Sequence, residues 1–264
     1  MGTRSVFTTA ALLIAPGPAM AQSPSDPSSS APAVALVHQH RIASDVQALP
    51  RLKPQAGVAS EPINRAFARF DADARSSIKE CAATAKEMNA PAGGSFTREV
   101  AVPMTGPNFL TVRMGDETYC GGAYPNASIT GITYDLSTGR PVDWVALLGP
   151  NLGGTTDVDQ KTGKPTGYLT SPALFHLWMK ARGPSNDEPG NEDCRGTPQE
   201  ATGPLEVWAD AAGGGIAVQS LDVVHATAVC GRPAVIPVGV LRNKGVSARL
   251  LDSIAAGKAE TAAR

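Results

Sequence analysis

Residues 60–89, SEPINRAFARFDADARSSIKECAATAKEMN, carry the clearest structural pattern of the chain. Their apolar residues recur at intervals of three or four and are Ile63, Phe67, Phe70, Ala74, Ile78, Cys81 and Ala85. This spacing places them on one face of an α-helix, and we expect Ser60 to cap the first turn. At about 1.5 Å per residue the helix is close to 40 Å long, so we expect it to lie across a sheet.

Strand patterns follow this helix. Residues 96–104 and 109–119 flank the sequence Thr-Gly-Pro-Asn and therefore predict a β-hairpin. A third strand is expected at 129–136, and Asp143 is expected to cap a short helix over 144–148. The glycine- and threonine-rich residues 149–169 are expected to form a loop.

The second half of the chain repeats the alternation of helix and strand. Residues 172–181 predict a helix, and residues 205–209 and 216–224 predict a second hairpin. A strand over 235–240 and a helix over 247–256 follow. This order predicts an α+β fold, in which a mainly antiparallel sheet packs against a long N-terminal helix and shorter helices.

The N-terminus has the pattern of a signal for export. Arg4 precedes a short apolar segment, and Ala19-Met20-Ala21 provides the small residues of a cleavage site. We therefore expect residues 1–21 to be a signal peptide and the mature chain to be periplasmic or secreted. No later segment is an uninterrupted apolar run of membrane-spanning length, so no membrane span is expected in the mature chain.

The rest of the chain divides into three parts. Residues 22–58 begin with a serine- and proline-rich run and are expected to be a flexible linker, within which 34–58 could form a short helix. Residues 59–258 are expected to form the α+β domain, and residues 259–264 a disordered tail. A formal net charge of −1 and an aromatic content of 5% both disfavour nucleic acid as a partner.

The four cysteines are Cys81, Cys120, Cys194 and Cys230. In an oxidising compartment an even number of cysteines predicts disulfides, and four cysteines allow three connectivities. We favour Cys81–Cys120 with Cys194–Cys230, because each pair closes a moderate loop within one half of the chain. The rival interpretation, a metal site, is disfavoured because the chain has no C-x-x-C motif.

One stretch, TYCGGAYPNASITGITYDLSTGRPVDWVALL from Thr118 to Leu148, resembles a known family. The matching residues are Gly121, Gly122, Ala123, Pro125, Asn126, Asp135, Leu136, Thr138 and Gly139. They are similar to the signature of an extracytoplasmic domain of unknown function, which forms the C-terminal part of RsiV-type anti-sigma factors and accompanies PdaC-type peptidoglycan deacetylases. Tyr124 departs from the pattern, because the family usually has histidine at this place.

This resemblance implies a fold and a compartment rather than a reaction. In RsiV-type proteins the domain contributes to lysozyme binding. The resemblance therefore implies an accessory or binding protein of the cell envelope, with lysozyme-like proteins or peptidoglycan as its partner.

The candidate ligand-binding loop comprises Gly121, Gly122, Tyr124, Pro125 and Asn126. Its glycines allow the backbone to approach a ligand closely, and the Tyr124 ring could stack on a sugar or a protein partner. The same residues are also typical of a tight turn between two strands, so both interpretations stay open.

A glycan hydrolase is the alternative function, with His225 acting together with Asp135 or Asp143. The chain lacks the G-x-S-x-G, H-E-x-x-H and P-loop motifs, which disfavours an enzyme, although catalytic groups need not be adjacent in sequence. His38 and His40 have no third ligand nearby, and we expect no metal site and no cofactor.

Overall fold

The computed structural model describes residues 34–90, 93–158, 161, 165–183, 203–222 and 230–260. The predicted signal peptide and the first part of the predicted linker lie outside these residues. Within them, α-helices pack against antiparallel sheets, which confirms the α+β class.

Two five-stranded antiparallel sheets form the framework of the described part of the chain. The first sheet consists, in spatial order, of β12 (Lys258–Glu260), β3 (Ser95–Thr105), β4 (Phe109–Tyr119), β5 (Asn126–Asp135) and β6 (Arg140–Pro141). The second sheet consists of β11 (Ala234–Pro237), β10 (Gly215–Ser220), β9 (Leu205–Asp210), β8 (Pro165–Thr170) and β7 (Thr155–Val158). Both hairpins predicted from the sequence are present, as β3–β4 and β9–β10.

Helix α1 (Ser60–Glu87) packs on the first sheet. Ile63 and Phe67 are fully buried there, and the Phe67 ring meets the Tyr134 ring edge-on at 5.6 Å between centroids. The apolar spacing therefore predicted both the helix and the face that it buries. The predicted cap was wrong, because Ala59 stands at the N-cap position and no side-chain cap hydrogen bond is made there.

The second sheet packs against the remaining helices, which are α2 (Trp144–Leu148), α3 (Pro172–Arg182), α4 (Val238–Arg242) and α5 (Ala248–Ala256). Asp143 caps α2 as predicted, since its carboxylate accepts a hydrogen bond from the Ala146 N–H at 3.1 Å. Trp178 of α3 is fully buried in this second core.

Residues 34–58 differ from the flexible linker expected from the sequence. They contain no helix but form a two-stranded ribbon of β1 (Leu36–Val37) and β2 (Arg51–Leu52). Asp71 of α1 holds this segment, because its carboxylate accepts hydrogen bonds from the Leu49 N–H at 3.0 Å and from the Arg51 guanidinium at 2.6 Å. Leu49 is fully buried, so these residues belong to the folded part of the chain.

Three further expectations were wrong. The predicted loop at 149–169 contains β7 and β8, because its threonines and Tyr168 favour strands more than its glycines oppose them. The predicted strand at 235–240 ends at Pro237, after which α4 begins. The predicted tail begins inside β12, where Glu260 pairs with Val102 of β3.

The two sheets meet through β5 and β9. Gly131 of β5 lies directly beneath Trp208 of β9, and a Cβ atom at Gly131 would be 2.4 Å from the indole ring. The Thr133 hydroxyl accepts a hydrogen bond from the Ala209 N–H at 2.9 Å. A glycine and short polar side chains thus let the two sheets approach closely.

No helix among the described residues combines the length and the apolar character needed to cross a membrane.

Candidate functional site

The predicted ligand-binding loop joins β4 to β5 at one end of the first sheet, except that Asn126 already belongs to β5 and pairs with Thr118. Its first residue, Gly121, has a left-handed backbone with φ of 93°, and a Cβ atom there would be 2.9 Å from the Ala90 Cβ. Glycine is therefore required by both conformation and space. The Tyr124 side chain is 75% exposed, whereas the loop backbone approaches the end of α1.

A disulfide between Cys81 and Cys120 anchors this loop. Cys81 lies in α1 and Cys120 follows β4, so the bond joins the helix to the loop's first residues. The first predicted pairing is confirmed. Cys194 lies outside the described residues, so the pairing of Cys194 with the buried Cys230 stays a prediction.

A polar groove of about 550 Å³ is lined by residues of the strands that this loop joins. Residues of β3, β4 and β5 form it, together with Arg41, Asp45 and Gln47 at the edge of the first sheet. Glu99, Gly115 and Ile129 pair across the three strands in one row, and nothing lies within 4 Å of a Cβ atom at Gly115. The second sheet covers Gly131 on this face but leaves Gly115 uncovered.

Arg98 holds the strands of the groove in place. Its guanidinium donates to both carboxylate oxygens of Asp116, each at 2.7 Å, and to the Phe70 carbonyl of α1 at 3.0 Å. Such a two-point contact is the strong form of an arginine–carboxylate pair. Arg98 is 6% exposed, so it links β3, β4 and α1 from within the fold rather than offering a free charge.

We call the Gly121–Asn126 loop together with Arg41, Glu99, Arg113, Gly115 and Glu117 of the groove the loop–groove surface. Register places Glu117 opposite Ala127, one residue pair from the start of β5, so the end of the groove is close along the strands to the loop. The lining includes side chains of both charges. This surface can form charged and aromatic contacts with a large partner.

Sequence patterns did not reveal a second cluster, which lies where the sheets meet. Glu206 of β9 is 6% exposed, and its carboxylate accepts hydrogen bonds from the Gly131 N–H at 3.1 Å and from the Gln219 amide. Gln219 also donates to the Ile129 carbonyl at 2.8 Å. Burial raises the pKa of Glu206 to about 7, although both hydrogen bonds act in the opposite direction.

The carboxylates named for the alternative hydrolase function have structural partners. Burial acts to raise the pKa of Asp135, but hydrogen bonds from Arg249 and Ser137 outweigh it and lower the pKa to about 2. Arg249 contacts Asp135 at 2.7 Å, and Asp143 caps α2. His225 lies outside the described residues, so its distance from these carboxylates is not tested.

Metal ligands do not converge among the residues that the structure describes, since no group of three His, Cys, Asp or Glu side chains there could hold an ion. His38 and His40 are both exposed.

Comparisons with known proteins add no assignment. No family model matches the chain, and no curated protein matches it.

Proposed function

We propose that the protein is an exported binding module of the cell envelope that uses the loop–groove surface to hold a protein ligand. A lysozyme-like protein is the proposed ligand, and a peptidoglycan fragment is the second ligand to be tested. The compartment is supported by the export pattern of residues 1–21 and by the Cys81–Cys120 disulfide, since disulfides persist in oxidising compartments.

One observation carries the proposal for the surface. A tyrosine that is 75% exposed stands on a loop whose first end a disulfide joins to α1, and the strands that this loop connects line a groove of mixed charge. Tyrosine and arginine dominate the energetics of protein interfaces, and a loop fixed before binding loses little conformational entropy on binding. The family resemblance around this loop favours the same part of the molecule.

Binding should be measured by calorimetry with the purified, exported protein, using lysozyme and soluble peptidoglycan fragments separately. Tyr124→Ala and Arg113→Ala should each weaken binding of the true ligand by about 1–3 kcal/mol, as expected for central interface residues. Val240→Ala and Arg140→Ala are the matched controls, because both residues are exposed and lie outside the loop–groove surface.

Saturable binding of lysozyme that is weakened to this extent in the Tyr124 and Arg113 variants but unchanged in both controls would support the proposal. Binding of peptidoglycan alone would move the assignment to a glycan ligand. Absence of binding to either, with a protein shown to be folded, would refute the proposed function.

A further inference from the structure

A cavity of about 240 Å³ lies between the two sheets, separate from the loop–groove surface. Strands β5, β6, β8 and β9 and the start of α2 form its walls. The residues that give it chemical character are Thr133, Trp144, Thr166, Tyr168 and Glu206. Gly167, which is exposed, lies at its rim, so the cavity reaches the protein surface.

The size of the cavity limits what it can hold. Liquid water occupies about 30 Å³ per molecule, so this space equals roughly eight waters. Pockets for drug-sized ligands are usually larger, at about 300–1,000 Å³. A ligand here is therefore a small molecule rather than a peptide or a glycan chain.

The charge of the cavity comes from Glu206. Among the described residues, no lysine or arginine forms an ion pair with its carboxylate, whose two hydrogen-bond donors, the Gly131 N–H and the Gln219 amide, are both neutral. A buried carboxylate without a countercharge is costly, because desolvation is not compensated by an opposite charge. A positive ligand in the adjoining space would supply the missing charge.

Aromatic side chains complete the site. Trp144 and Tyr168 both line the cavity, and their rings offer apolar surface for the carbon chain of a ligand. Leu169 of β8 pairs with Leu205 of β9 in antiparallel register, so Tyr168 lies opposite Glu206. Tyr168 is thus the titratable group that faces Glu206 from the neighbouring strand. Burial raises the pKa of Tyr168, and the negative charge of Glu206 raises it further, so the phenol keeps its proton and adds no negative charge.

We propose that this cavity is a binding site for a small organic cation with a primary ammonium group, which donates hydrogen bonds to the Glu206 carboxylate while its carbon chain contacts Trp144 and Tyr168. A primary ammonium fits better than a quaternary one, because the carboxylate oxygens provide acceptors for its N–H groups. This site does not depend on the proposed function of the loop–groove surface.

Proton release gives a specific sign of such binding. A cation favours the ionised carboxylate, so its binding displaces the proton that Glu206 carries when the pKa is about 7. At pH 7 about half a proton per ligand should be released, and affinity should fall about tenfold for each pH unit below 6.

The test uses n-butylamine with the purified, exported protein, and compares it with 1-butanol, butyrate and tetramethylammonium. Binding is followed by amide chemical shifts and by calorimetry in two buffers that differ in ionisation enthalpy. We expect saturable shifts for butylamine at Gly131, Gly167 and Tyr168. Glu206→Gln should weaken binding at least about tenfold and abolish proton release, since a buried charged contact loses one partner.

Glu87→Gln is the matched control, because Glu87 is an exposed glutamate of α1 outside the cavity, and it should leave both quantities unchanged. Glu206→Asp keeps the charge and should retain part of the affinity and the proton release. The proposal is overturned if butylamine causes no saturable shift or if 1-butanol binds equally well. It is also overturned if tetramethylammonium binds more tightly than butylamine, or if Glu206→Gln binds as the unchanged protein does. None of these outcomes bears on lysozyme or peptidoglycan binding.

Discussion

The two faces of the first sheet are buried in different ways. On one face, α1 packs through apolar side chains such as Ile63 and Phe67, which meet Val112 and Tyr134 in a closed core. On the other, the second sheet approaches over Gly131 and is joined to β5 by hydrogen bonds that involve Glu206 and Gln219.

These two contacts obey different physical rules. Apolar burial is non-directional and tolerates small shifts, so its strength depends on the area removed from water. Buried polar contacts need each donor and acceptor to be satisfied, and they depend on the protonation of any acid among them. Changes in side-chain volume on the face under α1 should therefore alter the stability of the protein. On the face under β9, stability should respond to pH and to any added atom that keeps the two backbones apart.

The largest effect is expected from Phe67→Ala. Phe67 is fully buried between α1 and the sheet, and removing its ring leaves a cavity that the rigid surroundings cannot close. We expect the free energy of unfolding to fall by about 3–5 kcal/mol in urea denaturation. Arg65→Ala on the exposed side of the same helix should change it by less than about 0.5 kcal/mol. Equal losses in both variants would contradict the assigned helix face.

Removal of the Cys81–Cys120 disulfide should rank next. The bond closes a loop with a sequence separation of 39 between α1 and the end of β4. The double variant Cys81→Ser, Cys120→Ser should lose about 2–4 kcal/mol of stability, measured in the same denaturation experiment. A much smaller loss would mean that packing alone holds the helix end against the sheet.

The contact between the sheets should be sensitive to pH through Glu206. Its pKa is raised from 4.5 to about 7 in the folded protein, so the folded state binds this proton more tightly than the unfolded state does. The contribution of Glu206 to the free energy of unfolding is therefore fully present below about pH 4.5. It falls as the pH rises and is absent above about pH 7. At 1.36 kcal/mol per pKa unit the total is of order 3 kcal/mol.

Glu206→Gln isolates this effect. The variant should remove most of the pH dependence of unfolding between pH 5 and pH 8, so that its stability relative to the unchanged protein increases with pH. Denaturation midpoints at three pH values would measure the change. Parallel pH profiles for the two proteins would show that Glu206 is not the group that titrates.

The sequence predicted the apolar face of the first sheet, the one covered by α1, well. A regular spacing from Ile63 to Ala85 was enough to place α1 and its buried face, and β4 begins and ends where the pattern predicted. Such signals are local, because the residues that form one face of a helix are close in sequence. The β7–β8 hairpin was missed because two local signals conflict there. The glycines indicated a loop, whereas the threonines form strands.

The polar contact between β5 and β9 was missed because its residues are far apart in sequence. Glu206 and its donor Gly131 are 75 residues apart, and nothing in either strand shows that they meet. One clue was present, because Glu206 is a single acid in the otherwise apolar run Leu205–Ala209 of a predicted strand. A charged residue there must face either water or a polar partner, and only the fold distinguishes these cases. The Gly121–Asn126 loop was found because its residues are adjacent, but its role stays a prediction.

Two glycines of one sheet face offer the finest test of the comparison. Gly131 and Gly115 lie in neighbouring strands, the first under Trp208 and the second uncovered. Gly131→Ala places a Cβ atom 2.4 Å from the indole, so the sheets must separate, and we expect a loss of about 1–3 kcal/mol. Gly115→Ala meets nothing within 4 Å and should be neutral or stabilising by up to about 1 kcal/mol. Denaturation of both variants, with Trp208 fluorescence as a reporter of the sheet contact, distinguishes a covered face from an open one. A destabilised Gly115→Ala would show that a further part of the protein covers the groove, and the loop–groove surface would then be unavailable to a ligand.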